Sequence, residues 1–341
     1  MKLQIPSYLL ALLCTLQLIT ACKKDSNPTP IQVGLVTGIG SLDDKGFNLQ
    51  AYEGMLTAAT AVPVDWEVKV NSSALDIQNN IAYFVSKKVD LIITLGYDAA
   101  LPTLDAANAN PSIRFLLLDY SFASLPANMA CVVYSVDEAS FPCGFLAAYW
   151  ARVKNAAKPA VAYVAGPDIP TIRQFTSSFT SGVAYFNSKY GSDVTVSGAF
   201  ADSFSDTLQG SRMADSLMQL GAEVVFACAG KTGNGALYKV KEANKAGIGV
   251  DTDQFASIPE VGGNLLTSCM KKLNEAVITE IEAASKGQFP GGKTLVYNLK
   301  NKGVDLAPYH NFDSQIPDSI KQAIVNIKEG ISLGTIKTGW Q

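Results

Sequence analysis

The stretch Ser41-Leu42-Asp43-Asp44-Lys45-Gly46-Phe47-Asn48 lies between two patterns of different period. Before it, residues 31–36 form an apolar run that reads as a buried strand. After it, residues 48–61 bring Ala51, Met55 and Ala58 back at helical spacing behind Phe47. Strand, polar turn and helix open an α/β sheet, and such turns lie at the carboxyl ends of strands, where ligands bind. This turn holds two carboxylates, an amide and a ring. The same residues have a plainer reading, with Asp44 capping the helix and Phe47 stapling its first turn.

The alternation continues outward from this turn. Strands are expected at 66–70, 89–94, 114–118 and 129–134, with helices at 74–87 and 99–108. A long helix at 140–152 opens a second series, with strands at 160–164, 194–199, 224–227 and 247–250. Helices at 172–189, 205–220 and 235–246 lie between them. This rhythm predicts parallel sheets covered by helices on both faces, and its repetition predicts two α/β lobes. Residues 264–286 read as one amphipathic helix on the stripe Leu266, Met270, Leu273, Val277 and Ile281. A strand at 294–299 and a helix at 318–329 close the chain. The expected N-terminal lobe is 31–136 plus 255–290, and the C-terminal lobe is 137–254 plus 291–341. Chain crossing between two lobes creates a cleft suited to a small ligand.

The 341 residues suit two domains, and the net charge of −3 with 17% charged residues excludes the basic footprint of nucleic-acid binders. Residues 1–21 carry Lys2, an apolar run through Leu9 to Leu13, and Ile19-Thr20-Ala21-Cys22. That is the pattern of a lipoprotein signal, too short to span a membrane. It predicts cleavage before Cys22, acylation of Cys22, and a tether over 22–30. The domain would then be held to a bacterial membrane by lipid alone, facing periplasm or exterior. The four remaining cysteines, Cys131, Cys143, Cys228 and Cys269, lie in apolar stretches and read as buried free thiols.

Enzyme signatures fail. His310 is the single histidine, lies in a loop-like stretch and reads as solvated. There is no G-x-S-x-G elbow, no H-E-x-x-H and no paired Cys-x-x-Cys, so no metal and no cofactor is expected. Gly38-Ile39-Gly40 lacks the third glycine of a dinucleotide fingerprint, with Asp43 in its place. Gly230-Lys231-Thr232 ends like a phosphate loop, but Val225 stands where its leading glycine belongs.

What remains is a set of polar and aromatic residues at strand ends: Asp44, Phe47, Asn48, Asp119, Arg173, Phe175, Gly230, Asp251, Asp253 and Lys271. Lys271 is expected on the first turns of the helix after Leu265. Phe47 and Phe175, from opposite lobes, could sandwich a flat ring. Asp44 and Asn48 could meet ring nitrogens, Asp119 and Asp251 could accept hydroxyl protons, Gly230 offers backbone amides, and Lys271 neutralises a carboxylate. A ring with several hydroxyls is a nucleoside.

In order and spacing these segments resemble the basic membrane protein family, the purine-nucleoside receptor group of substrate-binding lipoproteins serving ABC transporters. The matching segments are Asp43-Asp44-Lys45-Gly46-Phe47-Asn48, Leu117-Leu118-Asp119, Glu138-Ala139-Ser140-Phe141, Ile169-Pro170 with Arg173-Gln174-Phe175-x-x-x-Phe179, Gly230 to Gly235, Gly249-Val250-Asp251-Thr252-Asp253-Gln254, and Thr267-Ser268-x-x-Lys271. The resemblance implies a type I periplasmic-binding-protein fold, with two Rossmann-like lobes and a three-strand hinge. It also implies a monomeric, non-enzymatic protein that delivers a purine nucleoside to an ABC permease. Phe47 and Phe175 are the implied stacking pair, with Phe179 a substitute for the latter. Asp44 and Asn48 face the base, Asp119 and Asp251 the ribose, and Lys271 supports the carboxylates. The chain departs from the family pattern at Gly46, usually Ser, at Thr37-Gly38, usually acidic, and at Pro142-Cys143. A surface lipoprotein binding a partner without transport, and an enzyme using Asp44 or Asp119 as a base, are the competing readings.

Overall fold

A computed structural model describes residues 29–340; the expected signal segment and Cys22 lie outside the described residues. The first lobe runs β1 (Ile31–Ile39), α1 (Phe47–Ala61), β2 (Val64–Asn71), α2 (Ala74–Lys87), β3 (Leu91–Leu95), α3 (Ala100–Ala109), β4 (Arg114–Leu118) and β5 (Met129–Tyr134). The second begins with α4 (Val136–Lys154), β6 (Ala160–Ala165), α5 (Pro170–Tyr190), β7 (Thr195–Phe200) and α6 (Thr207–Gln219). It continues through β8 (Val224–Cys228), α7 (Gly230–Glu242), β9 (Ala246–Asp251), the single turns α8 (Gln254–Ser257) and α9 (Pro259–Gly262), and β10 (Leu265–Lys271). The chain then returns through α10 (Leu273–Ser285) and β11 (Thr294–Tyr297), and ends with β12 (Val304–Leu306) and α11 (Asp318–Ser332).

The two six-stranded sheets share one layout, β2-β1-β3-β4-β5-β11 and β7-β6-β8-β9-β10-β12. All pairings are parallel except β12 on β10. Both faces of the central strands are buried, as parallel sheets require. In the first lobe Val33, Leu35, Ile93 and Leu116 belong to one buried cluster, and Val36, Ile92, Phe115 and Leu117 to another.

The chain crosses between lobes three times, at Ser135, at Lys272 and over residues 298–303. The crossings are hydrogen-bonded side by side. Ser135 N–H donates to Tyr297 O at 2.8 Å, Lys272 N–H to Gly303 O at 2.9 Å, and Leu299 N–H to Glu138 Oε2 at 2.8 Å. No helix among the described residues is long and apolar enough to cross a membrane.

Two expectations are corrected. Residues 264–286 are not one helix but strand β10 followed by α10. The strand is buried on both faces, so its unbroken apolar run imitates a helical stripe. As a result β10 belongs to the second sheet and β11 to the first, the reverse of the expected assignment. The helix expected over 235–246 starts earlier, so the glycine-rich run after β8 is helical from Gly230 and α7 ends at Glu242. Its glycines serve packing: a Cβ on Gly235 would fall 2.0 Å from Thr207 O on α6.

Candidate functional site

The turn that opens the sequence reading lies in the cleft, and its hydrogen bonds divide its residues by role. Asp44 is buried, and its carboxylate accepts backbone N–H bonds from Gly46, Asn48 and Leu49 at 3.0, 2.7 and 3.1 Å. It therefore caps α1, and it also lines the pocket. Burial pushes its pKa up to about 6 against the pull of those amides, with the Asp251 carboxylate adding to the rise. Asp43 is exposed and pairs with Lys45. The Asn48 carbonyl oxygen accepts Gly38 N–H at 2.9 Å, and its Nδ2 donates to Ser41 O at 3.5 Å, which leaves the second Nδ2 hydrogen as a donor on the pocket wall.

Lys271 ends β10, a strand position rather than the helical one expected. It is 4% exposed, donates to Asp119 Oδ2 at 2.8 Å and lies 3.5 Å from Asp251 Oδ1. Burial pulls its pKa down, but the two carboxylates outweigh that and hold it above the ordinary lysine value. Burial raises the pKa of Asp251 against the pull of Lys271. Asp119 and Asp251 occupy matching places at the ends of β4 and β9. Both have left-handed backbone, with φ of 70° and 65°, a conformation uncommon outside glycine. Among the described residues no chain donor reaches Asp119 Oδ1 or Asp251 Oδ2, so each carboxylate keeps an acceptor for a hydroxyl. Gly46 crowds this point from the other lobe: a Cβ there would meet Asp251 Oδ2 at 3.3 Å.

Both rings of the expected pair line the pocket. The Lys271 ammonium lies over Phe47, 4.5 Å from its centroid, and over Phe175, 5.5 Å from its centroid, so one cation faces both rings. Phe175 is only 2% exposed and packs toward Phe226. Phe179 stacks on Phe226 in the core and does not reach the pocket. A third ring that the sequence reading missed, Phe204, lines the pocket from the turn after β7 and is half-buried. Its carbonyl accepts Thr232 N–H at 3.2 Å and closes against Gly230, whose φ is +55° and whose added Cβ would stand 3.0 Å from that oxygen. Like the other pocket residues, Phe204 lies on a turn at the carboxyl end of a strand.

Asn234 and Gln254 were also missed. Both are buried and absent from the pocket lining; Asn234 bonds to the Asp44 turn, and Gln254 bonds to Asn234. His310 is not the solvated loop residue expected. It stacks on Phe255 at 3.9 Å and 10°, and its Nε2 lies 2.7 Å from Asp253 Oδ2. Arg173 pairs with Asp168 outside the pocket lining. The four cysteines are free and buried; Cys228 lines the pocket, and burial holds its thiol far above the ordinary range. Among the described residues no cluster of three or more His, Cys, Asp or Glu could hold a metal.

The pocket drawn by these side chains, between the two lobes, holds about 760 Å³ out to its open mouth. Residues 31–337 match the model of a family described as ABC transporter substrate-binding protein PnrA-like. The chain belongs to that family. Among relatives of this PnrA-like protein, the ABC transporter nucleoside-binding protein BmpA of Lactococcus lactis is 27% identical over 320 residues. That match covers 89% of this chain and 88% of BmpA. An uncharacterized lipoprotein of Pyrococcus furiosus is 29% identical over 290 residues, 83% of this chain and 71% of that one. An ABC transporter solute-binding protein of Aeropyrum pernix superposes with a TM-score of 0.85 at 25% identity, covering 90% of this chain and 93% of that one. The fold of this PnrA-like chain is the type I periplasmic-binding-protein fold, as the resemblance implied.

Proposed function

We propose that this substrate-binding protein captures a purine nucleoside between its lobes and delivers it to an ABC permease from a lipid anchor at Cys22. The observation that carries the reading is the Asp119–Lys271–Asp251 group. Carboxylates from opposite lobes each offer an acceptor oxygen, and a shared buried ammonium keeps them together. Two adjacent hydroxyls of a ribose suit that pair. The base then lies toward Phe47 and Phe204, with Phe175 backing the ammonium and Asn48 Nδ2 donating to an acceptor on the base edge. Asp44 acts on the base only through the turn it caps. Gly230 brings the backbone at the start of α7 to the pocket wall without a side chain.

The name of BmpA, a nucleoside-binding protein of an ABC transporter, supports the ligand class. Affinity follows from closure of the lobes about the three crossings. A thermal-shift panel of inosine, adenosine, guanosine, their free bases and ribose tests the reading, since a ligand that binds only the folded state raises Tm. Nucleosides should shift Tm, and bases and ribose much less. A shift by ribose alone, or by none of them, would sink it. Asp251→Ala should weaken inosine far more than hypoxanthine.

A further inference from the structure

The turn over residues 44–50 is tied to the second lobe by contacts that run from chain atom to chain atom and bypass the pocket contents. Asn234 Nδ2, on α7, donates to Asp44 O at 2.8 Å. Ser257 Oγ, on α8, donates to Lys45 O at 2.9 Å. In the other direction Gln50 Nε2, on α1, donates to Asp251 O at 2.7 Å. Three side chains thus read three backbone carbonyls across the lobes.

The donors are held in place from behind. Asn234 Oδ1 accepts Gln254 Nε2 at 3.0 Å, Gln254 Oε1 accepts Val250 N–H at 2.9 Å, and Gln254 N–H donates to Ser268 Oγ at 3.1 Å. Flipping either amide would set donor against donor and acceptor against acceptor, so the orientation of both is fixed. Asn234 is 5% exposed and Gln254 2%. Behind α8, the His310 ring stacked on Phe255 and its contact with Asp253 brace the same turn.

We propose that Asn234, Gln50 and Ser257 form a clasp that holds the lobes together independently of ligand. They are positioning residues that set the open–closed equilibrium and with it the residence time of whatever the cleft holds. The physical reason is asymmetry. In the joined state Asp44 O and Asp251 O are shut away from water, so deleting their donors leaves buried acceptors unpaired, and opening hydrates them. Loss of the clasp therefore favours the open state. A ligand must then supply the closure free energy alone, and apparent affinity falls with the closed fraction.

Small-angle X-ray scattering on the full chain without added nucleoside tests the clasp separately from the nucleoside reading. Gln50→Ala/Asn234→Ala should have a larger radius of gyration than the wild type. Superimposable scattering curves for the folded variant overturn the proposal. Should that double variant fail to fold, Asn234→Asp, which turns the donor toward Asp44 O into an acceptor, and Ser257→Ala are read by the same criterion. In stopped-flow with inosine, dissociation should quicken about 2- to 10-fold, with association unchanged or faster. Unchanged dissociation with slower association overturns the proposal. If no nucleoside binds at all, the nucleoside reading fails and the scattering result still decides the clasp.

Discussion

At the end of β5 in the first lobe stands Tyr134; at the matching place at the end of β10 in the second stands Lys271. The strands before them match as well, and each ends in an aspartate with left-handed backbone, Asp119 and Asp251. The frames are equivalent, but their charges are not. Two carboxylates brought together across a cleft repel, and a second tyrosine could not offset that. Lys271 answers both carboxylates, whereas the buried Tyr134 hydroxyl has no partner and burial drives its pKa far up. Neither half of the cleft is electrostatically complete alone. The first lobe brings Asp119 and Phe47, and the second brings the cation that makes them compatible with Asp251.

The strongest test of that difference is Lys271→Met. Removing one partner of a buried ion group typically costs about 3–5 kcal/mol, because the remaining charges are left uncompensated. Urea denaturation at neutral pH should show a loss of that order, and Asp119→Asn added to Lys271→Met should restore part of it. Tyr134→Phe at the matching site deletes only an unpartnered hydroxyl, so stability should hold or rise by up to about 1 kcal/mol. Equal losses from the two variants would show that the asymmetry has no energetic meaning.

The rings sharpen the comparison next. Phe175 lines the pocket but is almost wholly buried, so Phe175→Ala empties a packed position and should cost about 3–5 kcal/mol of stability. Phe204→Ala and Phe47→Ala, at the pocket wall, should instead weaken inosine by about 0.5–1.5 kcal/mol and leave the urea midpoint nearly unmoved. Calorimetry beside denaturation separates the two classes. Were Phe175→Ala to lose binding without losing stability, its ring would be a ligand contact rather than a packing element.

α10 gives a pH-dependent test at the rear of the first lobe. Glu280 is 3% exposed, its Oε2 has no partner, and burial alone raises its pKa from 4.5 to about 7. A carboxyl whose folded pKa lies above its unfolded one contributes stability that is full below about 4.5 and lost as pH rises through about 7. Glu280→Gln should therefore leave Tm unchanged near pH 4.5 and raise it by about 2–4 °C at pH 8. A shift of the same size at both pH values would show that the charge is not the cause.

How much of this was legible in the sequence depends on what each feature rests on. The βα alternation, both lobes and the strand-end residues were readable because period and turn chemistry are local. Lys271 was found but placed on a helix, since a strand buried on both faces carries no alternation to set it apart. Phe204 escaped because its turn, Ala201 to Asp206, holds no glycine and has no segment in the family pattern. Asn234, Gln254 and Gln50 escaped for a different reason. Asn234 and Gln50 bond to backbone carbonyls of the opposite lobe and Gln254 bonds to Asn234 behind them, and a carbonyl has no letter in the sequence.

The smallest predicted difference lies between neighbours in the turn where the reading began. Asp43 and Asp44 are one residue apart and chemically identical, yet Asp43 faces solvent beside Lys45 while Asp44 gathers three backbone amides at the start of α1. An exposed ion pair contributes little, so Asp43→Ala should change stability by less than about 0.5 kcal/mol. Asp44→Ala removes a cap and should cost about 0.5–2 kcal/mol. Asp44→Asn keeps an acceptor for the amides but cannot ionise. Because the Asp44 pKa is raised to about 6, its contribution is full below the ordinary carboxylate value and fades as pH rises through about 6. Asp44→Asn should therefore be nearly as stable as the wild type at pH 7.5 and flatten the change in Tm between pH 4 and 7. Equal effects from Asp43→Ala and Asp44→Ala would mean that the turn is held by its contacts with the second lobe and not by its cap.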